Sequence, residues 1–376
     1  MLLFERYTYY AVMLLCSPLM VLCFYLPWIS FILLLVAIHS IYKFHKLTPN
    51  RDTLALDIRR LRKVGIMDIY AGAPKYTRDT LCNYYKQTTF RDYRLFELGT
   101  GGNAMHTELC FKGPPPFHLG FAQQLMYVIA HIPQTQSQSH THILEIGFGK
   151  GSNILFLATM FPNIQFVGID LIQEHVEFAK HAAFKMKLSN VQFFKEDVCA
   201  LSHKEASYDV IFGIESLCHL DTEQQVNALC KNAHRVLKQN GKLVIIDGFR
   251  SRNHDDTHTE AELAMNLAEN GFRIRKMPSK DLWVSSGRSF SLVHVQDIDL
   301  THEALPFWVL AWKIAHCLLK YYPGLLRVYF TWSNTTRESG ANFVSALMVA
   351  YAMTLGSAEY GVLVLNNTHQ DTHLIT

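Results

Sequence analysis

The sequence predicts an α/β fold with a doubly wound sheet in the part of the chain that follows residue 142. Short apolar runs alternate there with longer segments, in the order expected of strands and helices. The first five runs are nearly all apolar, which is typical of parallel strands covered on both faces. The predicted strands are residues 143–146, 164–170, 191–197, 208–216, 241–249, 290–298 and 360–366. The helices predicted between the first five strands are residues 152–160, 174–187 and 222–237.

Three alternating glycines follow the first predicted strand and indicate a ligand site. Gly147, Gly149 and Gly151 lie just before the next helix. A residue without Cβ permits a tight turn and a close ligand, and the helix N-terminus offers free N–H groups. The pattern suits either a dinucleotide or S-adenosylmethionine. The dinucleotide pattern would have Ser152 in place of its third small residue, whereas the pattern that begins at Glu145 fits without substitution.

Acidic residues close the second and third predicted strands. Asp170 can accept hydrogen bonds from both ribose hydroxyls of an adenosine, in a nicotinamide site as well as in an S-adenosylmethionine site. Asp197 can accept from the exocyclic amine of adenine, with the backbone N–H of Val198 directed at the ring. Both acids are also suitable caps for the helices that follow them.

A long uncharged segment at the N-terminus predicts a membrane anchor. The chain is 49% hydrophobic with a net charge of +3, too small a charge to indicate nucleic-acid binding. Residues 7–42 contain no Lys, Arg, Asp or Glu. We predict that residues 1–45 enter the membrane as one tilted helix or a re-entrant hairpin. The basic residues that follow place the rest of the chain on the cytoplasmic side: Lys43, Lys46, Arg51, Arg59, Arg60, Arg62 and Lys63.

Four further parts are predicted after the anchor. They are a helical cap (residues 46–135), the core with the glycines (136–300), a helical insert (301–357), and the last strand with a polar tail (358–376). The eight cysteines are scattered without a CxxC pair, which agrees with a reducing compartment and matches no standard zinc pattern. We therefore predict no metal site.

An aromatic stretch within the predicted insert has three alternative interpretations. Residues 306–330 are rich in Trp, Phe and Leu and carry Lys313, Lys320 and Arg327, which predicts an amphipathic helix pair. The pair shapes a hydrophobic pocket, lies on a bilayer, or simply packs against the sheet.

Residues 142–250 resemble class I S-adenosylmethionine-dependent methyltransferases. The resemblance rests on the order and spacing of LEIGFGKGSN, VGIDL, FKEDV, YDVIFGIESLCHL and VLKQNGKLVIIDGF. It implies a Rossmann-like seven-stranded sheet whose last strand is antiparallel, with S-adenosylmethionine as cofactor. It also implies that Glu145 and Gly147 lie near the methionine end of the cofactor, Asp170 at the ribose and Asp197 at the adenine. The remaining residues that we assign to cofactor binding are Gly149, Gly151, Leu171 and Val198.

Within that family the chain resembles the branch of sterol and tocopherol methyltransferases. Its GIESLCHL segment, residues 213–220, is similar to their Glu-x-x-x-His segment after the fourth strand. We predict Glu215 and His219 as catalytic residues on one side of a helical turn. His219 would be the base for an oxygen nucleophile, and Glu215 would stabilise a carbocation formed from an alkene. His118, with Tyr84 or Tyr85, is a further candidate from the cap.

The predicted function is therefore a membrane-anchored methyltransferase for a hydrophobic acceptor such as a sterol, another isoprenoid or a lipid-like molecule. Tethering to a bilayer would raise its concentration near such an acceptor. The alternatives are O- or N-methylation of a polar metabolite, a scaffold that binds the cofactor without catalysis, and a nicotinamide oxidoreductase.

Overall fold

The computed structural model describes residues 43–67 except 45, 77–89, 106–107, 109–111, 120–133, 140–251, 259–332 and 334–368. The predicted anchor lies outside the described residues except for Lys43 and Phe44, and so do His118 and the end of the polar tail. Among the described helices, none combines the length and the apolar character needed to cross a membrane.

A seven-stranded sheet forms the centre of the molecule, with the strand order β3-β2-β1-β4-β5-β7-β6. The strands are β1 (His142–Ile146), β2 (Gln165–Asp170), β3 (Val191–Lys195), β4 (Tyr208–Ile214), β5 (Leu237–Arg250), β6 (Leu292–Asp299) and β7 (Ala358–Asn367). Strands β1 to β5 pair in parallel, and β7 lies antiparallel between β5 and β6. The predicted sheet, with its antiparallel last strand, is confirmed.

Eleven described helices surround the sheet or pack beside it. They are α1 (Arg51–Val64), α2 (Arg78–Thr88), α3 (Gly120–Ile129), α4 (Ser152–Met160), α5 (Gln173–Lys185), α6 (Glu223–Val236), α7 (Thr259–Gly271), α8 (Lys280–Ser289), α9 (Thr301–Tyr321), α10 (Pro323–Thr331) and α11 (Asn334–Thr354). Residues of α3, α4 and α5 share a core with one face of the sheet, and residues of α6 and α8 share one with the other. Both faces of the central strands are covered, which explains their apolar character, whereas the edge strands β3 and β6 keep several exposed residues.

A third core lies among α1, α7, α9, α10 and α11. It encloses the buried carboxylate of Asp57, which accepts hydrogen bonds from His316 Nδ1 at 2.8 Å and Tyr351 Oη at 2.7 Å. Arg60 donates to the same carboxylate at 2.9 Å. These bonds join α1 to α9 and α11, so α1 and the described helices of the predicted insert form one helical body.

The observed elements differ from the predicted ones mainly at their ends. The predicted strand 208–216 is too long, because Glu215 has a left-handed φ of 48° that ends β4 at Ile214. The predicted strand 241–249 is too short, because Leu237 already pairs with Tyr208. The third strand ends at Lys195 rather than Asp197. Helices α7 and α8 were not predicted from the sequence.

Candidate active site

One cavity of about 550 Å³ opens at the carboxyl ends of β1 and β4, where the strand order reverses. This is the usual ligand position in open α/β sheets. Its wall has two parts. The loop side contains the segments that follow β1, β2, β3 and β4. The helical side contains apolar residues of α7, α9 and α11 and the segment after α7: Met265, Phe272, Phe307, Trp308, Val349 and Met353.

The glycine loop requires its glycines. Gly147, Gly149 and Gly151 have φ values of 68°, 55° and 80°, a region that residues with a Cβ rarely adopt. A Cβ on Gly147 would also lie only 2.5 Å from Ser216 Cβ, in the segment after β4. Gly151 caps α4 without a side-chain hydrogen bond, so the first turn of that helix keeps N–H groups for a ligand.

Asp170 fixes the loop from the end of β2. One carboxylate oxygen accepts from the backbone N–H of Gly149 at 2.9 Å, and the other accepts from the N–H of Ile172 at 2.9 Å. His175 Nδ1 lies 3.3 Å from that second oxygen. A carboxylate has about four acceptor positions, so these bonds leave capacity for ribose hydroxyls. Asp170 and the next residue, Leu171, both line the cavity.

Asp197 lies on the same wall, and each of its two carboxylate oxygens has a different partner. One oxygen accepts from the N–H of Cys199 at 3.0 Å, which caps a short 3₁₀ helix. The other lies 2.5 Å from a guanidinium nitrogen of Arg78, at the start of α2. Val198 follows in the cavity wall. The ion pair with Arg78 was not predicted, because the two residues are far apart in the sequence.

Glu145 lies beneath the loop rather than in the cavity wall. Its side chain is buried, and Oε1 accepts from Asn153 Nδ2 of α4 at 3.1 Å. Oε2 has no hydrogen-bond partner among the described residues. Burial raises the pKa of Glu145 to about 8. Gly151 is also absent from the wall, whereas the other residues assigned to the cofactor line it.

Glu215 and His219 both line the cavity after β4. The predicted helical turn joining them is wrong, because Glu215 has left-handed backbone and the 3₁₀ turn comprises only Leu217–His219. Glu215 Oε1 accepts from the N–H of Thr107 at 2.6 Å and from Tyr360 Oη at 2.8 Å. These contacts hold the carboxylate between the N-terminal region and β7.

The imidazole of His219 contacts Tyr85 of α2. Its Nε2 and Tyr85 Oη are 2.6 Å apart, and the buried Nδ1 has no hydrogen-bond partner among the described residues. Burial lowers the pKa of His219 to about 4, so the ring is neutral at pH 7. Of the cap tyrosines considered from the sequence, Tyr85 reaches the site, whereas Tyr84 donates a hydrogen bond to Asn342 of α11.

Asp247 is a buried acid at this site that was not predicted from the sequence. One carboxylate oxygen accepts from the N–H groups of Leu217 and Cys218, at 2.9 and 3.0 Å, and so fixes the 3₁₀ turn that carries His219. Burial, with a smaller effect of Glu215, raises the pKa of Asp247 to about 7. A signal was present in the sequence, because Asp247 follows an apolar run in β5 as Asp170 does in β2.

Helix α2 lines the cavity and contacts residues that follow three different strands. Besides Arg78 at Asp197 and Tyr85 at His219, Thr89 at its C-terminus lies 3.1 Å from His175 Nε2. The helix begins at a capping box formed by Thr77 and Thr80, which fixes its start. The helix is therefore part of the site.

Residues 143–241 match the family model described as a methyltransferase domain. The chain is 27% identical over 170 residues to 27-O-demethylrifamycin SV methyltransferase of Amycolatopsis mediterranei, covering 45% of this chain and 60% of that protein. It is 26% identical over 200 residues to sterol 24-C-methyltransferase of Eremothecium gossypii, covering 52% of this chain and 51% of the relative. The chain thus spans about half to three fifths of the length of these two relatives.

A solved structure with a similar fold is geranyl diphosphate C-methyltransferase from Streptomyces coelicolor, in complex with Mg²⁺, geranyl diphosphate and S-adenosyl-L-homocysteine. The TM-score is 0.56 at 16% identity, and the alignment covers 79% of this chain and 99% of that one. At this identity the likeness concerns the fold.

Proposed function

Because the chain carries a class I S-adenosylmethionine-dependent methyltransferase domain related to the sterol type, we propose that the protein methylates a hydrophobic acceptor such as a sterol, another isoprenoid or a lipid-like molecule. The observation that carries this proposal is the helical side of the cavity. Phe272, Phe307, Trp308, Val349 and Met353 make most of that wall apolar, with Arg273, Arg275 and Asn342 also in the lining, and it is continuous with the loop side. An apolar pocket with few polar groups selects an apolar ligand.

The loop side fits S-adenosylmethionine, whose activated methyl group is the chemistry that the cofactor supplies when bound. Gly147 and Gly149 line the cavity and, without a Cβ, would let the cofactor lie against the backbone. The uncapped first turn of α4 supplies N–H groups. Asp170 would accept from the ribose and Asp197 from the adenine, in keeping with their positions in the wall.

For a carbon acceptor, the chain would stabilise charge and take up a proton. Attack by an alkene leaves positive charge on the acceptor, and the carboxylate of Glu215 would stabilise it. Tyr360 and Thr107 hold that carboxylate in place, so little reorganisation is needed. A proton lost from the acceptor carbon would pass to a neighbouring base, for which neutral His219 is our candidate.

The hydrogen bond between Tyr85 and His219 favours O-methylation as the second candidate function. A hydroxyl acceptor must lose its proton, and a neutral imidazole held by Tyr85 can accept it. The low pKa of His219 makes it a weak base, so this chemistry suits an acidic hydroxyl better than an aliphatic alcohol.

We further propose that residues 1–45 anchor the protein in a membrane, with the catalytic domain on the cytoplasmic side. Support comes from the uncharged residues 7–42 and from the basic residues that follow them. An apolar acceptor partitions into the bilayer, so the anchor would bring enzyme and acceptor together.

The test is transfer of a labelled methyl group from S-adenosylmethionine to a lipid extract by the full chain. We expect label in the organic phase and, by mass spectrometry, a product heavier than its acceptor by one CH₂ unit. Label only in water-soluble products would instead indicate a polar metabolite. Binding of S-adenosylhomocysteine without any transfer would indicate a scaffold.

Two variants separate cofactor binding from chemistry. Asp170→Ala should weaken S-adenosylhomocysteine binding about 10- to 100-fold, since hydrogen bonds to a charged group contribute about 1.5–3 kcal/mol. Glu215→Gln should keep that binding and lower kcat for a carbon acceptor. Unchanged cofactor binding in Asp170→Ala would refute the assigned ribose contact, and an unchanged kcat in Glu215→Gln would exclude charge stabilisation by this residue.

A further inference from the structure

An exposed apolar face extends from the second half of α9 across α10. It comprises Ile314, Leu318, Tyr321, Tyr322, Leu325, Val328, Tyr329 and Trp332. Trp332 is 80% exposed and Leu325 67%. Single exposed apolar residues are ordinary, but a contiguous set of this kind marks an interaction surface.

Helix α10 is apolar on two separate faces. Leu326 and Phe330 point into the third core. At about 100° per residue, Leu325, Val328 and Trp332 fall within an arc of roughly 60° on another side of the helix. Packing against the described residues explains only the first face, and the second is left exposed.

The charged residues within the exposed apolar face of α9 and α10 are all basic. Between Glu303 and Glu338 the sequence contains no acidic residue. Lys320 and Arg327 are exposed beside the apolar residues. Helix α1, which packs against α10, adds further exposed basic residues: Arg59, Arg62 and Lys63. A partner with negative charge at its surface and an apolar interior would complement this arrangement.

The first described residues after the uncharged N-terminal segment lie beside the same helices. Residues 7–42 lack charge. At the point where the structure begins to describe the chain, the Phe44 ring lies 5.5 Å from Lys313 Nζ of α9. Phe44, at the described end of the proposed anchor, therefore lies beside α9.

We propose that the exposed apolar face of α9 and α10 docks on the surface of an anionic lipid bilayer. Trp and Tyr side chains concentrate at membrane interfaces, and nearby Lys and Arg side chains attract anionic head groups. A second copy of the chain suits the face less well, because pairing two such faces would bring Lys320 and Arg327 close to their counterparts. The docking is separate from methyl transfer and adds a second membrane contact to the proposed anchor.

Quenching of Trp332 fluorescence by brominated lipids tests the proposal. The full chain is reconstituted in phosphatidylcholine–phosphatidylserine vesicles with and without bromine on the acyl chains. Trp332→Phe supplies the background, because the other four of the five tryptophans are common to both proteins. We expect the Trp332 signal, obtained by difference, to fall at least twofold in brominated vesicles. An unchanged Trp332 signal would overturn the proposal. It would mean that the face does not contact the acyl chains, as expected if another copy of the chain or another segment covered it.

Two pairs of variants show whether the face itself inserts. In the first pair, the double variant Leu325→Ser, Val328→Ser should reduce the quenching of Trp332 at least twofold. Its control, Phe184→Ser, changes a residue of α5 that is 80% exposed and should not reduce the quenching. Arg327→Gln should weaken quenching in vesicles rich in phosphatidylserine, and Arg288→Gln on α8 should not. S-adenosylhomocysteine binding confirms that each variant is folded. Equal effects within either pair would contradict docking through this surface.

Discussion

The loop side and the helical side of the cavity are built in different ways. The loop side is a set of strand ends, and its acids and glycines are fixed by short bonds such as Gly149 to Asp170 at 2.9 Å. The helical side is assembled from α7, α9 and α11, which follow β5 and come together only in the folded chain. A bound cofactor would therefore depend on backbone geometry, whereas acceptor selection would depend on side-chain shape.

The strongest test of this contrast is a Cβ at Gly147. We expect Gly147→Ala to weaken S-adenosylhomocysteine binding more than about 100-fold by calorimetry, because the added atom would lie 2.5 Å from Ser216 Cβ and the residue has a φ of 68°. Gly356→Ala is the matched control, since Gly356 also has a positive φ but has no atom within 4 Å of the added Cβ. It should cost stability by about 1–2 kcal/mol and leave binding unchanged.

The second test concerns the buried acid beneath the loop. The pKa of Glu145 is raised to about 8 in the folded chain, so the folded state binds more protons than the unfolded state between about pH 4.5 and pH 8. The free energy of unfolding of the wild type should therefore fall, relative to that of Glu145→Gln, as the pH rises through this window.

A difference of a few kcal/mol is the expected scale, at about 1.36 kcal/mol per unit of pKa shift. Urea titrations of both proteins at pH 5 and pH 8 measure it. Glu177→Gln is the control, since Glu177 is exposed on α5, and it should show no such trend. A constant difference between wild type and Glu145→Gln would mean that Glu145 is charged throughout.

The third test addresses the helical side through two methionines of α11. Met353 lines the cavity, whereas Met348 is buried in the third core away from it. Both changes to Ala should cost stability by about 2–5 kcal/mol. Only Met353→Ala should raise the KM for the acceptor, by up to about tenfold if most of one side-chain contact is lost. An equal KM change in Met348→Ala would show that the effect is general loosening.

This difference in construction also decided what the sequence could predict. The strands, the glycine loop and the acids of the loop side follow local patterns. The sequence could therefore predict the order of the elements and the place of four residues in the cavity wall: Asp170, Leu171, Asp197 and Val198. The cap contributes Arg78 and Thr107 across gaps of more than a hundred residues. No local pattern marks such pairs, because they depend on how α2 and the helical body pack against the sheet.

The placement of the predicted catalytic pair shows the same limit. A four-residue spacing predicted one face of a helix for Glu215 and His219, but the left-handed backbone at Glu215 breaks that geometry. Both side chains nevertheless reach the cavity, each through a long-range partner: Tyr360 of β7 for Glu215 and Tyr85 of α2 for His219. Spacing identified the residues, and tertiary contacts determine their orientation.

The smallest expected effect lies at the contact between the cap and the loop side. Arg78 is half exposed and pairs with Asp197 at 2.5 Å, and exposed ion pairs contribute about 0–1 kcal/mol. If adenine must displace this pair, Arg78→Gln should tighten S-adenosylhomocysteine binding by up to about fivefold. If the pair instead closes α2 over a bound cofactor, the change should weaken binding by a similar factor.

The second variant is Lys86→Gln, which removes the ion pair with Glu174 at the other end of α2. It should have no effect on binding if Arg78 competes with adenine, and it should weaken binding by the same factor if α2 closes over the cofactor. Calorimetry on the two variants thus decides whether Arg78 competes with the cofactor or helps to enclose it.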